Sequence, residues 1–362
     1  ADDERGIERK KGVRIHMNRE FLYELLETAS VSGFEEEIQR KVIKYARGFA
    51  DEVYTDEIAD VVSIVNPDAK IKVMLSAHMD EIGLMVSHIT EKGMLHVSKA
   101  GGIYPGTYLG QKVRIMHEGN VVYGAVRNHG SLNKKELEIT DIIIDIGAVS
   151  REDAMAHVAC GDPVSFDTDY RELLNDRLCA RGLDDRLGGY IILEAAKKAK
   201  ERGCPCGIYA ATTVGEELTK HGAAWCASRI APTLAIVLDV TYTSDYEGTR
   251  AIENGEILLG GGPVFLHNSF SHKMMVERLE KAARNVHIKY QWENGCGRTC
   301  TDADAIHMAG RGIPTTVMSI PLRYMHNAAE VCSMEDVQGC IDVLAEFLCG
   351  IGSDICLKPL EG

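Results

Sequence analysis

The sequence predicts an α/β fold, a mainly parallel mixed sheet sandwiched by helices, with a small barrel-like β-rich domain inserted into it. Three observations predict it. Apolar runs of strand length at 71–77 (IKVMLSA), 207–214 (GIYAATTV), 233–240 (TLAIVLDV) and 315–320 (TTVMSI) alternate with stretches of helical periodicity. Such near-continuous apolar strands belong to parallel sheets covered on both faces. Between residues 87 and 175 the texture changes: glycine and valine are frequent, strands are short and helical patterning is nearly lost.

Taken in order, residues 18–49 read as two helices. Phe21, Leu22, Leu25 and Leu26 form the apolar stripe of the first, and Ser32, within the punctuating SVSG, is placed to cap the second. Residues 52–66 alternate apolar and polar, as strands do. The inserted segment carries strand signals at 112–116, 121–126, 142–149 and 163–166, and one helix at 151–157. Helices are then predicted at 187–202, 222–228, 271–283 and 334–348. The expected domains are therefore 17–86 with 176–362 as the larger body and 87–175 as the insertion. Residues 1–16, polar and of mixed charge before Met17, read as an extension, either native and disordered or left by cloning.

Bulk properties exclude several function classes. A net charge of −14 over 362 residues disfavours nucleic-acid binding, which needs a basic face. No apolar run approaches bilayer length and the first residues lack an apolar leader core, so a cytoplasmic protein without membrane partners is expected. Eleven scattered cysteines read as reduced thiols, and Cys204-Pro205-Cys206 is too tightly spaced for a CxxC motif.

Five clusters carry candidate chemistry. In HMDEIG (78–83), His78 follows an apolar strand and Asp80 could accept from its ring N–H; a loop histidine with satisfied partners has the same pattern. In GLDDRLGG (182–189) adjacent aspartates open a helix, where one could bridge two cations or cap the helix beside a surface ion pair with Arg186. In VGEEL (214–218), Glu216 and Glu217 could divide proton transfer and metal binding between them, or form an exposed acidic turn. Asp239 ends an apolar strand, where a carboxylate is rarely decoration. His326, in YMHN, follows the strand at 315–320. The remaining histidines, among them His129 and His307, read as surface or structural. Two histidines, two aspartates and a glutamate at strand ends, with a spare glutamate, are the inventory two divalent ions need. The mixture of carboxylate and imidazole suits zinc, cobalt or manganese.

The order and wording of these clusters resemble the TET-type, or deblocking (glutamyl), aminopeptidases of the dinuclear zinc exopeptidase clan, over about residues 17–348. The resemblance implies a phosphorylase/hydrolase-like exopeptidase fold. It implies a metal-dependent aminopeptidase acting on short peptides, with two divalent ions per subunit, zinc foremost and cobalt or manganese as alternatives. His78 and Asp239 would hold one ion, Glu217 and His326 the other, and Asp184 both. Glu216 would be the general base and Asp80 the carboxylate that orients His78. The inserted domain would mediate dimerisation, and dimers would build a tetrahedral dodecamer. Two departures stand out: GEELTKHGA at 215–223 where the family reads close to QEEVGLRGA, and CTDA at 300–303 for GTDA. Rival functions are another di-metal amide hydrolase, a carboxypeptidase or deacylase, or the glycanase activity sometimes attributed to such sequences; a self-assembling shell with a decayed site is the non-enzymatic alternative.

Overall fold

The computed structural model of the chain describes residues 17–134, 136–352 and 355–361, so the extension read at 1–16 lies outside the described residues. Helices α1 (Arg19–Glu27) and α2 (Glu36–Ala46) lead into strands β1 (Glu52–Thr55), β2 (Val61–Val65) and β3 (Lys72–His78). Six strands then close a barrel: β4 (Gly83–Ile89), β5 (Leu95–Ala100), β6 (Lys112–His117), β7 (Asn120–Val126), β8 (Ile143–Asp145) and β9 (Pro163–Phe166), in the order β4-β5-β8-β7-β6-β9. A short helix α3 (Arg151–Met155) precedes β9, and a hairpin of β10 (Arg171–Leu173) and β11 (Arg177–Ala180) leads back to the larger body.

That body continues with α4 (Leu183–Glu201), β12 (Gly207–Thr213), α5 (His221–Ile230), β13 (Leu234–Tyr242), α6 (Ala251–Asn254) and β14 (Val264–His267). It closes with α7 (Lys273–Asn285), β15 (Gln291–Asn294), α8 (Ala303–Ile306), β16 (Thr315–Leu322), β17 (Glu330–Ser333) and α9 (Met334–Cys349). The main sheet runs β1-β2-β12-β3-β13-β16-β14-β15, and its four central strands β12, β3, β13 and β16 are parallel. Alternate residues of each central strand feed opposite helical layers. On β3 and β13, Val73, Leu75, Ala77, Leu234, Ile236 and Leu238 pack with α1, α2, α4, α7 and α9. Met74, Ala235 and Val237 pack with α5 and α8 on the other face. Burial on both faces is why these strands read as unbroken apolar runs.

Three local readings are corrected. The strand expected over 142–149 stops at Asp145, because its side chain accepts from Gly147 N at 2.7 Å and Gly147 turns the chain at φ +82°. Ser32 does not cap α2, which starts at Glu36 after Glu35; its hydroxyl is committed to the Asp80 carboxylate instead. Arg186 is not a surface residue but fully buried. Among the described residues, no helix is long and apolar enough to cross a membrane. All eleven cysteines are free thiols, Cys204 and Cys206 included.

Arg186 belongs to a buried ion triad centred on Glu81. Glu81 Oε1 lies 3.1 Å from Arg186 Nη2, and Glu81 Oε2 accepts from Arg181 Nη1 at 2.5 Å. Ser165 Oγ of β9 and the Ser30 backbone N–H also donate to Oε1, each at 3.1 Å. The guanidiniums donate onward to the carbonyls of Leu26 and Thr28 at the end of α1 and of Gly182 before α4. Gly182 is obligatory here: it sits at φ +59°, and a Cβ would lie 1.6 Å from Arg186 Nη1. One carboxylate thus joins the barrel, the first helix and the start of α4.

Burial would raise the Glu81 carboxyl, but Arg181 and Arg186 outweigh it and hold it down at about 2. A depressed acid stabilises the fold above its ordinary value of 4.5 and loses that contribution as pH falls from there towards 2. Glu81→Gln, which leaves two buried guanidiniums uncompensated, is expected to destabilise the protein by about 3–5 kcal/mol at neutral pH. Urea unfolding at pH 7 and pH 3 checks this: the gap between wild type and variant should narrow at the lower pH.

Candidate metal centre

The parallel strands deliver their chemistry at one edge. His78 is the last residue of β3, Glu216 and Glu217 follow β12, and His326 lies in the turn after β16. Asp239 pairs with Ser319 inside β13, which runs on to Tyr242 instead of ending at the aspartate. The carboxyl edge of such a sheet is where diverging loops leave a crevice. Asp184 enters from the first turn of α4. The backbone there is non-helical at Asp184 (φ −74°, ψ 110°) and Asp185 (φ −116°, ψ 37°).

The two aspartates then part company. Asp184 Oδ1 lies 3.2 Å from His78 Nε2, and Asp184 Oδ2 lies 3.2 Å from His326 Nε2. Asp185 turns back to accept from Gly188 N at 3.1 Å, serving the helix end. Glu217 Oε1 is 3.3 Å from His326 Nε2, while Glu216 Oε2 is 3.9 Å from His78 Nε2. Ligand-type atoms of His78, Asp184 and Asp239 lie within 4.8 Å of one another, as do those of Asp184, Glu217 and His326, and those of His78, Glu216 and Glu217. With Asp80 against His78, all seven candidate residues therefore meet in one place.

A second layer of residues aims the first. Asp80, fully buried, places Oδ1 3.2 Å from His78 Nδ1 and accepts the backbone N–H of Glu216 on Oδ1 (3.0 Å) and of Glu217 on Oδ2 (3.2 Å). The Asp80 carbonyl oxygen also lies 3.1 Å from His78 Nδ1, so this one residue sets the ring of His78 and the backbone of both glutamates. Glu330 does the same on the other side, accepting from Asp184 N at 3.3 Å and His326 N at 2.8 Å. The His326 ring is fixed from the barrel: its Nδ1 lies 2.9 Å from the Gly102 carbonyl, just beyond β5, which leaves Nε2 for the cluster. Asp302, of the CTDA segment, accepts from Thr213 Oγ1 (2.6 Å) and Ser76 Oγ (3.2 Å), bracing β12 against β3.

Sequence reasoning missed Glu330, Gly102, Ser32 and a role for Asp302. Glu330 had a signal, a carboxylate opening the strand EVCS. Gly102 had none, because its partner is 224 residues away.

The electrostatics are those of excess buried negative charge. Burial, reinforced by the charge of Asp184, pushes Asp239 well above its ordinary range. Burial lifts Glu217 to about 7 and raises Glu216 as well. Burial also opposes ionisation of Asp184, but the His326 and His78 rings outweigh it and hold this carboxyl low. Burial would lower His326, yet Asp184 and Glu217 raise it to about 11. The two imidazoles, with the Lys220 ammonium 3.0 Å from Glu216, still leave the four carboxylates Asp184, Glu216, Glu217 and Asp239 in excess. Uncompensated buried charges are costly. Divalent cations would offset this excess, and the oxygen and imidazole donors suit zinc, cobalt or manganese.

Comparison with known proteins gives the family and the fold. The profile of the M42 glutamyl aminopeptidase family matches residues 61–343. An Acetivibrio thermocellus protein named as an aminopeptidase is 35% identical over 92% of this chain and 100% of its own length. The crystal structure of a TET aminopeptidase from a marine sediment Thaumarchaeota archaeon superposes with a TM-score of 0.86 at 29% identity, covering 92% of this chain and 96% of that one. The Pyrococcus horikoshii TET1 peptidase, described as assembling into a tetrahedron or a large octahedral shell, gives 0.82 at 27% identity over 92% and 99%.

Gly102→Ala tests the link from the barrel. A Cβ at Gly102 would lie 2.8 Å from His326 Cε1 and Nδ1, so the ring must move. The expected outcome is an intact fold by circular dichroism and a divalent-cation affinity lowered about tenfold or more by calorimetric titration. Wild-type affinity would show that the carbonyl does not hold His326.

Proposed function

The chain belongs to the M42 glutamyl aminopeptidase family and is an aminopeptidase; from that premise we propose that it releases the N-terminal residue of short peptides with the help of two divalent cations, zinc foremost. His78 and Asp239 would hold one, Glu217 and His326 the other, and Asp184 would be shared. The observation that carries this reading is the division of the Asp184 carboxylate, one oxygen 3.2 Å from each histidine. When bound, the cations supply Lewis acidity to the scissile carbonyl and lower the pKa of the attacking water.

The chain's own residues do the rest. Glu216 accepts the proton of the attacking water and returns it to the leaving amine, turning one peptide bond and one water into a free amino acid and a shortened peptide. Its burial and raised carboxyl suit a group that must both take and give a proton. Asp80 holds the tautomer of His78 and pins the backbone of Glu216, so the base and the ligand histidine keep one register. Glu330 and the Gly102 carbonyl fix Asp184 and His326 in the same way.

We also propose that the chain works as a homo-oligomer in the cytosol, where its free thiols stay reduced. The barrel leaves Val121 and Tyr123 of β7 exposed, apolar side chains that suit dimerisation through the inserted domain. The dodecamer and the tetrahedral shell described for the TET1 relative suggest a dodecamer built from dimers.

The reading is tested with free and N-acetylated aminoacyl substrates in the presence of Zn²⁺, Co²⁺ or Mn²⁺. Free-amine substrates should be cleaved, acetylated ones spared, and EDTA should abolish turnover. Glu216→Gln should keep its bound metal by elemental analysis and lose about 10²–10⁴-fold in kcat. Near-wild-type turnover in that variant would remove Glu216 from the role of base.

A further inference from the structure

The turn after the glutamates, 215–221, and the segment 298–304 meet on the Oε1 side of Glu216 through Lys220 and Asp304. The turn after the glutamates is tight: Thr219 N and Lys220 N both donate to the Gly215 carbonyl, at 3.0 and 2.8 Å, and Lys220 sits at φ +59° as the residue before α5. This geometry folds the lysine back over the acidic pair. Its Nζ lies 3.0 Å from Glu216 Oε1 and 3.7 Å from Asp304 Oδ2. Asp304 is itself fixed, because Oδ1 accepts from Thr299 N and Oγ1 and Oδ2 accepts from Cys300 N and Arg298 Nε.

Lys220 is therefore anchored at one end of its contact and free to act at the other. Its side chain is 15% exposed, so the pair is only weakly screened by water. Among the described residues, Glu216 Oε1 is buried and lacks a well-aligned hydrogen-bond donor, which leaves this ammonium as its close charged neighbour. The other oxygen, Oε2, faces His78. Burial disfavours the charged lysine, but Glu216 outweighs it and keeps the ammonium protonated.

We propose that Lys220 is a positioning residue for the general base: it draws Glu216 Oε1 towards the 298–304 segment and so presents Oε2 to the His78–Asp184 side, where the reacting bond must lie. This rests on the reading of Glu216 as the base. The altered turn at 218–221 thereby ties the catalytic carboxylate to a neighbouring loop instead of leaving its outer oxygen to solvent.

Lys220→Met keeps the side-chain length and the backbone demand of a non-glycine residue at positive φ while removing the charge; Lys220→Arg keeps the charge. With wild-type metal content in all three proteins, Lys220→Met should lower kcat about 10- to 100-fold with KM within about twofold, and Lys220→Arg should recover most of the loss. A second readout does not depend on turnover. Crystals of metal-free Lys220→Met should show the Glu216 carboxylate rotated from its wild-type position or split between two, against a single orientation in metal-free wild type. Unchanged kcat in Lys220→Met, an unmoved Glu216, or a loss of kcat that arginine does not recover would each overturn the inference. Wild-type protein that cleaves no free-amine substrate with any of the three metals would instead overturn the reading of the site, and the inference with it.

Discussion

Negative charge buried at the carboxyl edge of a parallel sheet is the constraint from which the rest of this protein follows. Asp184, Glu216, Glu217 and Asp239 share one cluster with two imidazoles, His78 and His326, and Lys220 reaches Glu216 from its outer side. No folded chain keeps such a group without compensation, since a buried carboxylate either meets a cation or takes up a proton. The raised Glu217 and Asp239 and the depressed Asp184 are two responses to that excess. Divalent cations remove it more completely, and the donor set is the one such ions prefer.

The architecture supports the cluster from three directions. The central strands bring His78, the glutamates and Asp239 to one line because they run parallel and in register, β13 continuing past Asp239. Through its carbonyl and carboxylate, Asp80 then couples His78 to the backbone of both glutamates. The Glu81 triad holds the start of α4, and with it Asp184, against the barrel and the first helix. Finally the barrel reaches in through Gly102 to fix His326. The inserted domain is thus part of the site's support as well as a candidate interface, which ties the order of the second half of the cluster to how the barrel docks.

Much of this was legible in the sequence, for a physical reason. His78, Glu216 and Glu217 stand beside glycine or at the end of apolar runs, where polar side chains cannot be core and cannot easily be solvent. The fully buried strands announced themselves by unbroken apolar runs, and the loss of that texture marked the barrel. What stayed hidden were partners joined only by the fold. Ser32 looked like a helix cap because serine before a helix usually is one, yet its hydroxyl serves Asp80. Arg186 looked like a surface partner for an aspartate, yet it is buried against Glu81. A backbone carbonyl such as that of Gly102 leaves no trace in residue type at all. The altered turn at 218–221 could be seen to differ, but only the geometry showed that Lys220 reaches Glu216.

The central claim is that Asp184 is shared by two cations, one on the His78 side and one on the His326 side. Anomalous diffraction at the zinc edge, from crystals grown with zinc, tests it most directly. The account predicts two peaks per chain, one bounded by His78, Asp184 and Asp239 and the other by Asp184, Glu217 and His326, with one Asp184 oxygen on each. A single peak, or two peaks of which only one touches Asp184, would contradict it.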